Sequence, residues 1–409
     1  MTEDLELRPA RPDDFDAVQD VASLAFAQEP DQEDRDVDRP LFEPERTLVV
    51  TDGDEIVATA GAFTRDLTVP GGIVPAAHVT LVGVSPGYRR RGLLTRMMRR
   101  QLADARALGE PVALLWASEG PIYQRFGYGL ASTRLTIEAD TRAVRLLPGV
   151  PVGTGRTRIA APAASRKAMT ELYERLRPER PGWSSRDERG WDYTMADFSG
   201  RRQGFTSQRV VLYEGADGLE GYAFWRTKGN WGSAGPCGEV RVRELVAATP
   251  EAYTALWRFA FSIDLTRTVW HYMIAPDEPL LYQVEEPSAL SARLQHALWV
   301  RLLDVPAALR ARSYRTGLDL VLDVADDLIA DNASRGRLVV RAGEVTCEPT
   351  TDGPDLALDV ATLGAAYLGG TSLTALAAAG RVRELRPGAL AAASTAFGWH
   401  RAPQPLEIF

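Results

Sequence analysis

A chain of 409 residues exceeds what one hydrophobic core serves, so two or three domains are expected. Hydrophobic residues make up 45% and charged residues 25%, which excludes disordered, collagenous and membrane classes. The net charge of −8 disfavours a nucleic-acid partner, which needs a basic face to displace counterions, and suits a cationic small molecule better. The two cysteines, Cys237 and Cys347, are far apart, and the four histidines show no metal-ligand spacing, so no disulfide framework and no metal are expected. With no signal-like N-terminus and no apolar run of about 18 residues, a cytoplasmic protein that does not engage a membrane is expected.

In chain order, Leu5–Arg8 reads as a strand and Pro12–Phe26 as a helix with Asp13 and Asp14 in its first turn. The acidic stretch Glu29–Arg39 reads as a loop or a poorly ordered helix. Arg46–Asp52 and Glu55–Leu67 read as paired strands, followed by the strand Val74–Val84. A helix is expected over Leu93–Leu108, stopped by Gly109. The strand Val112–Ala117, a short helix at Pro121–Arg125 and the strand Leu130–Glu138 complete a mixed sheet with helices on its faces.

A Pro/Gly-punctuated stretch, Asp140–Pro162, marks a boundary. A second block repeats the strand, strand, helix order with a helix near Ala164–Arg175, strands near Arg209–Glu214, Gly221–Arg226 and Glu239–Val246, and a helix at Pro250–Asp264. A third begins near Val300, with strands at Gly317–Val324 and Gly336–Arg341 and a helix at Ser372–Gly380.

The informative stretch is Val82-Gly83-Val84-Ser85-Pro86-Gly87-Tyr88-Arg89-Arg90-Arg91-Gly92-Leu93-Leu94-Thr95. A strand runs into a Gly/Arg turn that opens directly into a helix, and the first N–H groups of a helix have no partner inside it. They point at whatever sits over the helix mouth, where the dipole adds positive potential. Gly92 lets a pyrophosphate approach the backbone, and Arg89 and Arg90 supply forked donors that match phosphate oxygens. The Lys-Ser/Thr of a P-loop is missing.

A second segment, Ser118-Glu119-Gly120-Pro121-Ile122-Tyr123-Gln124-Arg125-Phe126-Gly127-Tyr128, has the Y-x-x-x-G-[FY] form found after the cofactor helix in GCN5-related N-acetyltransferases, the GNAT fold. A phenol there fits the chemistry. When an amine attacks a thioester, the departing thiolate needs a proton, and a tyrosine of ordinary pKa matches a thiolate of similar basicity.

Both motifs, VSPGYRRRGLL and SEGPIYQRFGYG, with WVRLLDVPAALRAR at Trp299–Arg312 and a terminal Phe, resemble the enhanced intracellular survival (Eis) family of aminoglycoside N-acetyltransferases. The resemblance implies an α/β (α+β) chain with two GNAT-like mixed-sheet domains, an acetyl-CoA-binding one over residues 1–150 and a degenerate one over 151–295. A sterol-carrier-protein-like C-terminal domain over 296–409 and a homohexamer complete the plan. It places acetyl-CoA against Val82, Gly83 and Val84, against Arg90, Arg91, Gly92, Leu93, Leu94 and Thr95, and against Ser118 and Glu119. It makes Tyr123 the general acid and the α-carboxylate of Phe409 the general base.

The implied reaction is direct acetyl transfer in a ternary complex to a cationic amine. Acetylation of a protein lysine or other small amine, and a non-enzymatic lipid carrier, are the alternatives. Glu29, Asp31, Glu33, Asp34 and Glu407 are candidates for cation binding.

Overall fold

The computed structural model describes residues 5–29 and 31–409. In the first block the strands are β1 (Leu5–Pro9), β2 (Leu48–Asp52), β3 (Glu55–Val69), β4 (Gly72–Val84), β5 (Val112–Trp116) and β6 (Gly129–Leu130). The helices are α1 (Phe15–Phe26), α2 (Gln32–Asp38), α3 (Leu93–Ala107) and α4 (Gly120–Gln124). The acidic stretch is ordered as α2, because Asp31 caps it by accepting the Asp34 amide at 2.9 Å.

β1 to β4 pair antiparallel, β2 to β3 and β3 to β4 through short turns and β1 to β2 across the segment that holds α1 and α2, whereas β4 and β5 are parallel because α3 carries the chain back across the sheet. Side chains alternate across this sheet. On one face Ala77, Val79, Ala113 and Leu115 pack with Met98 and Leu102 of α3. On the other, Val74, Ala76, Val112 and Leu114 pack with Leu320, Leu363, Tyr367 and Phe397.

The stretch read as one strand, Leu130–Glu138, is divided. β6 ends at Leu130, and Thr133–Asp140 joins a second seven-stranded sheet. The first sheet is completed by Leu298–Leu302, which pairs with β5 (Leu298 opposite Trp116) and with β6 (Trp299 opposite Leu130). A short apolar strand carries no local mark of the sheet it enters, because tertiary burial decides the pairing.

The second sheet runs Arg293–His296, Thr133–Asp140, Thr266–Ile274, Gly238–Ala247, Gly218–Lys228, Arg209–Gly215, Arg156–Ala160. Its parallel pair, Gly238–Ala247 with Thr266–Ile274, is joined by the helix Pro250–Phe261. The third sheet is five-stranded, Glu344–Pro349, Arg335–Arg341, Leu318–Ala325, Leu356–Asp359, Val382–Glu384. It belongs to the same compact unit as the first sheet. That unit runs to Ser132 and takes in Arg180–Gly190 and Ala297–Phe409; the other comprises Thr133–Glu179 and Trp191–His296. Among the described residues no helix is long and apolar enough to cross a membrane.

Candidate active site

The site begins where β4 and β5 part. Their pairing covers only Ala76–Val79 against Val112–Leu115. Just beyond, Leu81 takes a left-handed backbone (φ 50°) at a register shift against β3, and such a bulge bends its strand. The edge of β4 beyond Val79 therefore has no pairing with β5, and Val82, Gly83 and Val84 line the slot. Gly83 also lets α1 approach, since a Cβ there would stand 3.0 Å from the Ala25 methyl.

The slot widens into a cavity of about 820 Å³ over the mouth of α3. The turn that makes the mouth uses a left-handed Arg90 (φ 64°) and Gly92 (φ 80°), with nothing within 4 Å of where a Gly92 Cβ would be. The helices Pro250–Phe261, Val305–Arg310, Val360–Tyr367 and Leu373–Ala378 begin with a side-chain cap from Thr249, Asp304, Asp359 and Ser372 respectively. α3 has no side-chain cap, as α1 and the helices Pro162–Leu176 and Ala389–Phe397 also have none; what marks α3 is that Leu93, Leu94 and Thr95 of its first turn line the cavity. Free amides at a helix start that opens on a cavity suit an anion.

Arg89 and Arg90 line the same cavity. Arg91 is not among its lining residues. It donates to the Gly87 carbonyl at 3.0 Å and lies over the Tyr88 ring at 4.9 Å, so it braces the turn.

Ser118, Glu119 and Tyr123 form the opposite wall. Tyr123, on α4, is 6% exposed, and its ring meets that of Tyr128 edge-on at 6.1 Å. Gly127 (φ 83°) closes the turn after it, and a Cβ there would lie 2.8 Å from Arg301 Nε. Burial pushes the Tyr123 phenol up to about 12. The ordinary phenol matched to a thiolate is thereby corrected to a weaker acid that stays protonated well above neutral pH. Phe26, Ile122 and Arg125 also line the cavity without having been singled out from sequence. Ile122 and Arg125 lie inside the Ser118–Tyr128 segment, and Phe26 is the last residue of α1.

Phe409 does not line this cavity; it lies across the sheet. Its ring meets His78 edge-on at 4.7 Å and packs on the cluster holding Val74 and Ala76, whereas Tyr123 packs with Ala77 and Val79. Acid and base candidates thus pack on opposite faces of the sheet beside β4. The last ten residues have no regular structure, yet Leu406 is buried and the Gln404 amide donates to Pro181 O at 2.8 Å. Glu407, a cation-binding candidate, is instead bonded to Arg65 at 2.6 Å and Arg186 at 3.4 Å, so its charge is already met inside the protein.

Residues 6–131 and 182–302 match the family models described as acetyltransferase (GNAT) domains, and 305–404 matches a sterol carrier protein domain. An uncharacterized N-acetyltransferase of Streptomyces avermitilis is 46% identical, over 97% of this chain and 98% of that one. N-acetyltransferase Eis of Mycobacterium tuberculosis is 33% identical over 91% of both. The crystal structure of Eis1 from Mycobacterium abscessus covers 99% of this chain and 100% of its own, with a TM-score of 0.85 and 33% identity. The chain belongs to the Eis family. It is an N-acetyltransferase, with two GNAT domains and a sterol-carrier-like third.

The second GNAT domain repeats the parallel crossover, but its own side chains occupy the equivalent positions. Thr249 caps the helix start by accepting the Ala252 amide at 3.1 Å, and Glu251 adds negative charge in the first turn. Where the parallel strands part after Arg241 and Trp270, His271 Nδ1 reaches the Val242 carbonyl at 2.9 Å. At the positions equivalent to the first domain's mouth and slot, the second domain thus carries a capped helix start and a histidine bonded to the strand edge.

Proposed function

We propose that this enzyme moves the acetyl group of acetyl-CoA to an amine of a cationic, aminoglycoside-like acceptor by direct attack in a ternary complex. The uncapped mouth of α3, opening on the cavity that Tyr123 walls, carries this reading. Arg89, Arg90 and the amides of Gly92 to Thr95 take the pyrophosphate. Val82 to Val84 hold the pantetheine arm, and their N–H groups polarise the thioester carbonyl. Ser118 and Glu119 border the arm opposite, and Arg91 holds the loop in shape. The amine arrives from the Phe409 side, its α-carboxylate takes a proton, and Tyr123 protonates the departing thiolate from the other side. No covalent acyl-enzyme is needed, because both cysteines, Cys237 and Cys347, lie outside this cavity.

The acidic chain favours a cationic acceptor over a neutral one. A hexamer working in the cytoplasm, with modules over 1–150, 151–295 and 296–409, completes the proposal. The lipid-carrier reading is weaker, because Leu363, Tyr367 and Phe397 of the third domain pack into a shared core. Incubation with acetyl-CoA and tobramycin, kanamycin, a lysine peptide and simple amines tests the acceptor by thiol release and product mass. Turnover of the aminoglycosides well above the peptide is expected; turnover of the peptide alone overturns the acceptor class.

A further inference from the structure

The chain end is held by groups drawn from remote parts of the sequence. Glu407 lies between Arg65 of β3 and Arg186 of the segment Arg180–Gly190. That segment is itself fixed along β3: Thr68 N donates to Trp183 O, Gly182 N to Thr68 O, and Ser185 N to Asp66 O, at 2.8, 2.8 and 2.9 Å. Gly182 leaves room for the tail, since a Cβ there would sit 3.1 Å from Gln404 backbone atoms. Ser184, on the same segment, bonds His78 Nε2 at 2.7 Å, and His78 Nδ1 reaches Ala76 O at 3.0 Å, so the ring that meets Phe409 is itself fixed.

Burial works against the charge of Glu407, but the guanidinium groups of Arg186 and Arg65 outweigh it and hold its carboxyl below the usual range. Arg65 also lines a small cavity of about 50 Å³ with Phe63, Ser185 and Asp187, so this arrangement borders open space. A tail with no regular structure loses conformational entropy when docked, and one or two ion pairs plus a ring contact must offset that loss. Two arginines on one carboxylate, placed two residues before the terminus, serve that end.

We infer that Arg65, Arg186 and Glu407 are positioning residues, a clamp that fixes the terminal carboxylate of Phe409 beside the β4–β5 split, with His78 as the surface its ring rests on. The inference rests on the reading of Phe409 as the base. Two residues of chain span at most about 7 Å, so pinning Glu407 leaves the terminal carboxylate little freedom. Small misplacement of a reacting group costs up to about a hundredfold in rate.

Glu407→Gln removes the charge and keeps the shape; Arg65→Lys keeps the charge, and Arg65→Met removes it. In the full-length protein, Glu407→Gln and Arg65→Met are expected to lower kcat about tenfold or more, with KM for acetyl-CoA unchanged, and Arg65→Lys to recover part of the loss. Carboxypeptidase A is expected to release Phe409 several times faster from Glu407→Gln than from the parent. Parent-like kcat and parent-like Phe409 release in Glu407→Gln overturn the clamp, as does a loss of coenzyme A binding, which marks a general folding role. If removal of Phe409 also leaves kcat unchanged, the base reading falls too, and that result is distinct from failure of the clamp alone.

Discussion

Tyr123→Phe is expected to lower kcat by roughly 10²–10⁴, the loss that follows removal of a positioned acid, while coenzyme A binds as before. The substitution removes one oxygen from a ring that is otherwise held by packing with Phe126, Tyr128 and Leu115, so the fold and the cavity persist. The pH dependence separates this role from packing. Because burial raises the phenol to about 12, Tyr123 stays protonated and competent through the alkaline range. An acid whose pKa is raised loses its proton only as pH climbs past that value, so no fall in kcat between roughly pH 8 and 10 is expected from this group. A loss in Tyr123→Phe smaller than tenfold removes the assignment.

Adding a short Gly-Ser extension after Phe409 is expected to reduce kcat by about a hundredfold or more, in the range for losing a positioned base, without weakening coenzyme A binding. An extension turns the terminal carboxylate into an amide, which is no base, and moves the new charge away from the split. The cofactor cavity is lined by other residues, so its affinity is the internal control. A fully active extended enzyme rejects the carboxylate as base and leaves the clamp with nothing to position.

The parts of the site built from contiguous sequence were legible. The Gly/Arg turn, the end of the strand before it and the first turn of the helix after it lie within fourteen consecutive residues, Val82–Thr95, and the chemistry of a helix mouth depends only on local geometry. Tyr123 was legible for the same reason, since Gly127 and Tyr128 close a turn four and five residues on. Three arginines in a row look equivalent in sequence, but the turn separates them: Arg89 and Arg90 line the cavity, while Arg91 donates to the Gly87 carbonyl and lies over the Tyr88 ring.

What depends on distant partners was not legible. Glu407 looked like a free acid because Arg65 and Arg186 are hundreds of residues away along the chain. Leu298–Leu302 gave no sign that it completes the first sheet, nor Thr133–Asp140 that it leaves it. The shifted phenol of Tyr123 is likewise a property of burial, which composition does not carry.

In the proposed reaction the α3 mouth, flanked by the guanidinium groups of Arg89 and Arg90, holds the cofactor's diphosphate. Isothermal titration with coenzyme A tests it directly. One site per chain is expected, with affinity at least tenfold weaker in Arg89→Ala/Arg90→Ala, as each charge-assisted hydrogen bond is worth about 1.5–3 kcal/mol. Unchanged affinity in that variant, or a second equivalent site on the chain, contradicts it.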